Sequence, residues 1–295
     1  MQIVGERYTT AKSFSCHGYG SVIKLKDKQL DQLEFDKENS MIISHDYPVC
    51  EYDTSREPII KPTDFLEKCL PEKCVITFFK KELNQFVSEH NLPIIGHLHS
   101  EVLDIPIYDY QSENEHLCIT MPFCTSPGAA GTIEELYAMG CNKFVICGGA
   151  GALVKGSKVG EIIIPISAVR DEGASYHYVK PSREIACHGA TVEAAITILT
   201  KMGVPFVTGK TWTTDAMYRE TPDMIEKRRN EGCVTVEMEA AGFFAVSKYY
   251  DIPLVQLLYA GDDVSGSTWD SRNWNAQRSV RSNLIQCAVE LIKQL

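Results

Sequence analysis

Two pairs of acidic residues stand at the ends of apolar segments in the C-terminal third of the chain. Glu237 and Glu239 flank Met238 at the start of a segment predicted as a helix, and Asp262 and Asp263 follow an apolar strand. Both pairs have structural explanations, because acids suit the first turn of a helix and the polar turn after a strand. Both also suit catalysis, because a carboxyl group whose pKa is raised by burial or by a neighbouring carboxylate is a good general acid. Since the strand must pack beside the helix, we expect both pairs to face one pocket.

Short apolar runs alternate with longer amphipathic runs from residue 74 onward. The short runs have the length of buried strands, and the longer ones have the period of helices with one apolar face. This alternation predicts an α/β domain with a mainly parallel sheet and helices on both faces. The predicted strands are 75–79, 117–121, 143–147, 161–168, 205–208 and 253–259, and the predicted helices are 80–89, 126–139, 191–202, 222–230, 236–250 and 276–293.

Ligands bind beyond the carboxyl ends of the strands in sheets of this kind. Four connections are therefore predicted to meet a ligand: 78–82, 123–127 with Cys124, 148–151 with Gly148 and Gly149, and 260–263. The glycines have neither the GxGxxG spacing of a dinucleotide site nor the lysine and hydroxyl pair of a P-loop. They are explained either by a tight turn or by close approach of the backbone to a ligand.

The overall composition disfavours several classes of function. The chain has 29 basic and 39 acidic residues and a net charge of −10, whereas binders of nucleic acid or anionic membranes are usually basic. The 11 cysteines include no CxxC pair and no accompanying histidine cluster, so we expect reduced buried thiols and no metal site. With no apolar stretch of membrane-spanning length and no signal-peptide core, the sequence predicts a soluble cytoplasmic protein.

The composition also divides the chain into three parts. Residues 1–40 are polar and form an N-terminal extension whose role the sequence does not indicate. Residues 41–73 contain Pro48, Pro58, Pro62 and Pro71 and are predicted to be an irregular lead-in arm. Residues 74–295 form the regular domain, to which we assign any catalytic activity.

Four collinear segments carry a family resemblance, and Asp262 follows them at the matching place. The segment 236–241 is similar to a Val-Glu-Met-Glu-Ala signature, 167–178 to a Ser-Val-Arg-x-x-Gly-Ala-Ser-x-His-Phe segment, 143–153 to a strand with a glycine loop, and 213–218 to a base-pocket segment. Together they resemble the nucleoside phosphorylases of the hexameric purine nucleoside and uridine phosphorylase type, a family that includes nucleosidases. The resemblance implies a three-layer α/β fold with a central, mostly parallel, partly mixed sheet flanked by helices.

The resemblance also implies roles for individual residues. Glu239 is expected to accept hydrogen bonds from the ribose 2′- and 3′-hydroxyls, Met238 to pack on the sugar, and Asp262 to protonate the leaving base or hydrogen-bond to it. The remaining substrate contacts are expected from Glu237, Met217, Tyr218, Cys124, Gly148 and Gly149. This chemistry is reasonable, because cleavage of an N-glycosidic bond builds positive charge on the sugar and negative charge on the base.

The sequence departs from the family pattern where the phosphorylases bind phosphate. Glu82 stands at the position of an arginine after the first strand, Ile146 replaces a strand arginine, and Gly149 replaces a loop serine. Glu82 has two explanations of equal weight. It is either the general base that activates water, as in the nucleosidases, or a solvated acid at a lysine-rich helix start.

Three hypotheses follow from these residues. The first is an enzyme similar to uridine phosphorylase, which uses phosphate as co-substrate and no other cofactor to give free base and pentose 1-phosphate. The resemblance implies a homo-oligomer, either a dimer or a hexamer. The second is a phosphate-independent nucleosidase. The third is a non-catalytic nucleoside-binding protein that retains the fold.

Overall fold

The computed structural model describes residues 12–14, 23–25, 42–55 and 57–295, and its chain divides into two compact units, 1–57 and 58–295. Most of the expected extension 1–40 lies outside the described residues. In the first unit, β1 (Lys12–Phe14) pairs antiparallel with β2 (Ile23–Leu25), and β3 (Ile42–Ile43) pairs antiparallel with β4 (Tyr52–Asp53). The division at residue 57 falls inside the segment predicted as a proline-rich arm.

The second unit contains ten strands and six α-helices among its described residues. The strands are β5 (Lys73–Thr77), β6 (Ile94–His99), β7 (Asp104–Ser112), β8 (Glu115–Thr120), β9 (Lys143–Ala152), β10 (Ile162–Asp171), β11 (Glu184–Ala186), β12 (Phe206–Thr214), β13 (Cys233–Glu237) and β14 (Leu254–Asp263). The helices are α1 (Lys80–His90), α2 (Thr125–Ala138), α3 (Gly189–Lys201), α4 (Pro222–Asn230), α5 (Ala240–Tyr250) and α6 (Arg278–Ile292). No described helix has both the length and the apolar character needed to cross a bilayer.

The sheet closes on itself around five of its strands. β9 pairs with β14, β14 with β10, β10 with β12, β12 with β13, and β13 returns to β9. β5 pairs with the first half of β9, and β8, β7 and β6 extend the sheet beyond β5. Both parallel and antiparallel pairs occur, which confirms the expected central sheet of mixed direction flanked by helices. The closed ring brings the carboxyl ends of β9, β13 and β14 together.

Two helices pack closely at a position occupied by a glycine. Residues 240–247 of α5 are buried throughout, as expected for a helix that is apolar on all sides. A Cβ atom at Gly242 would lie 3.0 Å from the backbone oxygen of Ser126 at the start of α2. This contact fixes the N-terminus of α2 against the N-terminal turns of α5, where the acidic signature enters.

Two sequence predictions about local structure are wrong, and both errors lie at the site. The segment 148–151 is not a loop, because β9 continues to Ala152 and pairs there with both β13 and β14. The glycines instead admit aromatic rings, since a Cβ at Gly148 would lie 3.1 Å from Phe78 and one at Gly149 would lie 3.1 Å from Tyr259. The segment from Val236 onward does not begin as a helix, because the β-branched run before Glu237 forms the strand β13 and the helix starts only at Ala240.

Candidate functional site

Glu237 anchors the junction between β13 and α5. Its Oε1 accepts a hydrogen bond of 2.6 Å from the Thr213 hydroxyl, and its Oε2 accepts from the backbone N–H groups of Glu239 at 2.8 Å and Ala240 at 2.6 Å. Burial and the charge of Glu239 raise the pKa of Glu237 to about 8, although these hydrogen bonds oppose the shift. With its two oxygens occupied in this way, Glu237 shapes the turn that presents Glu239.

Glu239 is held by a backbone group in a strained conformation. The Thr125 N–H donates to Glu239 Oε1 at 2.7 Å, and Thr125 has a φ of 69°, which is rare for a β-branched residue. Such outliers persist only where surrounding contacts enforce them, and they cluster at functional sites. Burial and the charge of Asp215 raise the pKa of Glu239, against the effect of its backbone hydrogen bonds. One carboxylate oxygen of Glu239 is thus fixed by the protein.

Met238 and Cys124 lie on either side of this contact. The Ser126 hydroxyl donates to the backbone oxygen of Met238 at 3.1 Å, which ties the strand-to-helix turn to the start of α2. Cys124 is the N-cap residue of α2 and is exposed. Burial of its thiol and the charge of Glu239 raise the pKa of Cys124, so the two side chains share one environment.

Asp262 reaches the same place from β14. In the ladders, Val236 of β13 lies opposite Gly151 of β9, and Asp263 of β14 lies opposite Ala152. A Cβ atom at Gly151 would lie 3.0 Å from Val236 and 3.6 Å from Asp262 Oδ1. The acidic signature and Asp262 therefore stand on the two sides of one glycine, and their strands are about 10 Å apart, which is twice the usual strand spacing.

A short loop after β14 determines where the Asp262 side chain points. The Trp269 indole N–H donates to Asp262 Oδ2 at 2.7 Å, although the ring itself is 64% exposed. Asp263 and Asp270 close the loop with two backbone hydrogen bonds of 2.8 and 3.0 Å. Arg272 fixes the start of this loop, because its guanidinium donates to the backbone oxygens of Gly261, Asp262 and Ser157.

The expected base pocket is more open than the sequence suggested. Met217 and Tyr218 lie in a 3-10 helix (Met217–Arg219), where Met217 is 47% exposed and Tyr218 is 93% exposed. Glu220, the next residue, is half-buried, and burial together with the charge of Asp262 raises its pKa to about 7. A second carboxyl group therefore stands close to Asp262 on the side expected for the base.

Glu82 is a buried acid, which contradicts the sequence alternative of a solvated one. It is 4% exposed, and its Oε2 lies 4.0 Å from Arg281 and accepts no hydrogen bond from the described residues. Arg281 donates to the Tyr259 hydroxyl at 3.0 Å, and its guanidinium also faces the rings of Phe79 and Trp274. Burial raises the pKa of Tyr259 against the effect of Arg281, and the charges of Glu82 and Asp262 add to the rise, so this hydroxyl belongs to the same region.

The structure brings several of the predicted site residues together. Glu237, Met238, Glu239 and Cys124 meet at the junction of β13, α5 and α2, and Asp262 lies beside Gly151, against which Val236 also packs. Gly149 and Gly148 lie two and three residues before Gly151 on β9, beside the rings of Tyr259 and Phe78. Further residues that the sequence reasoning did not select are Thr125, Glu220, Tyr259, Trp269, Arg272 and Arg281. No sequence motif marks them, because their partners become neighbours only in the folded chain, across a loop for Trp269 and between distant segments for Thr125 and Arg281.

A cavity among the described residues lies elsewhere. It has a volume of about 570 Å³ and is lined by residues from the C-terminal ends of α2 and α5, among them Tyr137, Cys141 and Tyr250. It is remote from Glu239, which lies at the opposite end of α5. The carboxylates are thus not part of this cavity.

A comparison with protein-family models shows which superfamily the chain belongs to. The family model described as the phosphorylase superfamily matches residues 73–293. The chain belongs to this superfamily. Its match begins with β5 and ends with α6, so it contains every residue of the candidate site.

Individual relatives are distant. A uridine phosphorylase from Thermococcus kodakarensis is 28% identical over 149 residues, which cover 46% of this chain and 54% of that protein. A guanosine phosphorylase from Halorubrum lacusprofundi is 26% identical over 139 residues, which cover 47% and 57%. The chain thus spans about half the length of the curated relatives it matches.

Solved structures show the same fold. A uridine phosphorylase from Vibrio fischeri superposes with a TM-score of 0.66 at 18% identity, covering 82% of this chain and 100% of the other. An AMP nucleosidase from Bacteroides thetaiotaomicron superposes with a TM-score of 0.59 at 22% identity, covering 75% and 88%. Similarity at this level of identity extends to the fold and not to the substrate.

Proposed function

We propose that this protein cleaves the N-glycosidic bond of a nucleoside. The observation that carries the proposal is that Gly151 is flanked by β13, which leads into Glu239, and by β14, which carries Asp262, so that Val236 and Asp262 both lie against this glycine. A nucleoside presents a sugar with vicinal hydroxyls at one end and a heterocycle at the other, and these groups match a carboxylate on each side of the glycine. The membership of the phosphorylase superfamily supports the same chemistry.

In this proposal the two carboxyl groups act on opposite ends of the substrate. Glu239 accepts hydrogen bonds from the ribose hydroxyls and stabilises the positive charge that develops on the sugar. Asp262, oriented by Trp269, hydrogen-bonds to the base or protonates it as it leaves. A positioned acid of this kind typically accelerates a reaction ~10²–10⁴-fold. Met238, Met217 and Tyr218 contribute apolar contacts to sugar and base.

Phosphate is the first candidate for the nucleophile. The curated relatives named above are phosphorylases, and Arg281 provides a cation beside Tyr259 and Gly149 where the family's own anion contacts are missing. In this reading Arg281 offsets the repulsion between phosphate and the carboxylates, which would otherwise be severe in a partly buried site. The product would be a pentose 1-phosphate, and a homodimer or hexamer remains the prediction for the assembly.

Water is the second candidate, and one specific observation favours it. Glu82 is buried, and one of its oxygens accepts no hydrogen bond from the described residues. This oxygen is available to accept a hydrogen bond from a water molecule, and a carboxylate at this position repels a phosphate dianion. Glu82 is thus suited to act as the general base of a nucleosidase.

Base release from a panel of purine and pyrimidine ribonucleosides tests the proposal. Each reaction is run in phosphate buffer and in phosphate-free buffer, and base, ribose and pentose 1-phosphate are separated by chromatography. We expect base release from at least one nucleoside, reduced ~10²–10³-fold in Glu239→Gln because an oriented charge of this kind contributes that much. The exposed helix variant Glu193→Gln is the control and should retain full activity.

The products of this experiment distinguish a phosphorylase, a nucleosidase and a binding protein. Release only with phosphate, giving pentose 1-phosphate, identifies a phosphorylase. Full-rate release without phosphate, giving ribose, identifies a nucleosidase. Nucleoside binding by calorimetry without product under any condition contradicts the proposed activity and leaves a binding protein.

A further inference from the structure

Three cysteines from separate parts of the chain meet inside the core. They are Cys74 on β5, Cys118 on β8 and Cys141 in the connection between α2 and β9. Their sulfur atoms all lie within 4.8 Å of one another, and the Cys118 and Cys141 sulfurs are 3.6 Å apart. All three side chains have no exposed surface.

The backbone positions these sulfurs independently of any contact between them. Cys74 and Cys118 are direct partners in the parallel ladder of β5 and β8, so their side chains project to the same face of the sheet. Cys141 is delivered by a tight turn, in which Gly140 has a φ of 122° and the Cys141 N–H donates to Leu136 O at 2.9 Å. A Cβ at Gly140 would clash with the chain at 2.8 Å, so the turn is closely fitted to its surroundings.

The spacing of the sulfurs suits a metal ion. Zinc binds thiolate sulfur at ~2.3 Å, which places the sulfurs of a tetrahedral site roughly 3.8 Å apart. The Cys118–Cys141 separation of 3.6 Å is close to this value and the other two are at most 4.8 Å, so small rotations of the side chains would complete the site. Thiolate ligands select zinc and other soft or borderline ions against magnesium and calcium.

We propose that Cys74, Cys118 and Cys141 form a three-thiolate binding site for zinc. Binding releases the thiol protons to solvent and forms three metal–sulfur bonds, so no oxidant or reductant is required. One Zn²⁺ on three thiolates leaves a single negative charge, and water or another donor completes the tetrahedron. Cys141 also lies beside the cavity of about 570 Å³.

The site is structural, because it stands at the opposite end of the sheet from the carboxylates. Cys141 precedes the first residue of β9, whereas Gly151 lies near the last, and that length of strand spans about 25 Å. The ion would link two central strands to the end of α2. No sequence pattern indicated this site, because the three residues are far apart along the chain and form no CxxC pair.

Metal content of the purified full chain tests this proposal. The protein is expressed in zinc-supplemented medium, kept reduced with a phosphine, freed of loose metal on a chelating column and measured by plasma mass spectrometry. We expect about one zinc per chain in the wild type, because a buried site with three thiolate ligands holds its ion against a weak chelator. Exchange into cadmium should produce the ultraviolet thiolate-to-metal absorption band.

Variants separate this site from adventitious binding. Cys118→Ala should lose the bound zinc and the cadmium band, whereas Cys187→Ala should retain both, because Cys187 is buried elsewhere and its thiol contacts Leu254 O. Wild-type protein without zinc and without a cadmium band overturns the proposal, whatever the variants do. Zinc retained by Cys118→Ala at the wild-type level also overturns it, and folding of each variant is checked by circular dichroism.

Discussion

The carboxyl groups of the candidate site differ in their protonation because their surroundings differ. Glu237 is buried beside Glu239, and its pKa is raised to about 8, whereas Glu220 lies beside Asp262 with a pKa raised to about 7. Both are therefore largely protonated at slightly acidic pH. Glu220 changes charge in the neutral range, which makes it the residue through which pH acts on the base side of the site.

Replacing Glu220 by glutamine should remove a pH effect. In the wild type, raising the pH through about 7 ionises Glu220 and adds a negative charge beside Asp262 and the departing base. We expect this charge to lower kcat/KM about tenfold above this pH, an effect equal in free energy to about one pKa unit. Glu220→Gln should stay active there, and initial rates across the pH range provide the comparison. The same decline in wild type and variant would show that Glu220 is not responsible.

At the scale of elements, the loop after β14 and the junction of β13 with α5 hold the two acids. The first is closed by Asp263, Asp270 and Arg272, and it places one indole N–H on Asp262. The second is held by Glu237, which accepts hydrogen bonds from the first N–H groups of α5 as an N-capping side chain does. Each element therefore has one side chain whose removal tests it.

Trp269→Phe tests the loop. The variant keeps an aromatic ring but loses the N–H that orients Asp262, so we expect kcat to fall roughly tenfold, the usual consequence of misplacing a catalytic group slightly. Thermal unfolding should hardly change, because the ring is largely exposed. Trp269→Leu, which removes the ring as well, serves as the comparison. Full activity in both variants would exclude a positioning role for Trp269.

Glu237→Gln tests the junction through the pH dependence of stability. The folded-state pKa of Glu237 is raised to about 8, above that of the unfolded chain, so the folded protein holds the proton more tightly. Its contribution to stability is fully present at low pH and is lost as the pH rises toward about 8, on the order of 2–4 kcal/mol. Denaturant titrations of wild type and variant should show this decline only in the wild type. Parallel curves would contradict it.

At the scale of the whole molecule, the closed ring of strands makes Gly151 the meeting point of β13 and β14. A Cβ there would lie 3.0 Å from Val236 and 3.6 Å from Asp262 Oδ1. We expect Gly151→Ala to reduce kcat/KM ~10-fold or more and to cost about 1–3 kcal/mol of stability, the usual range for overpacking. Steady-state rates and denaturant unfolding measure the two effects. Unchanged rates with lowered stability would place the nucleoside elsewhere.

The sequence predicted the parts of this molecule that depend on short-range patterns. The alternation of strands and helices, the acidic signature and the apolar strand before Asp262 are local features, and the mixed central sheet followed from the family resemblance. The strand β13 was missed because its short β-branched run continues without a break into a helical pattern. The strands β6 and β7 were missed because polar residues, among them His97 and Asp104, interrupt their apolar period.

Contacts made across the fold were beyond what sequence patterns carry. Whether Glu82 is solvated or buried depends on Arg281, which lies near the other end of the domain. The pairing of Trp269 with Asp262 depends on a loop closed by backbone hydrogen bonds, and the meeting of Cys74 with Cys118 depends on strand register. Such partners become visible only when the sheet is assembled.

The central claim is that Glu239 and Asp262 hold the two ends of one nucleoside. A crystal structure of Asp262→Asn, soaked with a nucleoside that the wild type cleaves, tests this most directly because the variant should bind without turnover. We expect the ribose hydroxyls within hydrogen-bond distance of Glu239 and the base beside position 262, with the sugar lying over Gly151. A nucleoside bound elsewhere, or one whose sugar faces away from Glu239, would contradict the account.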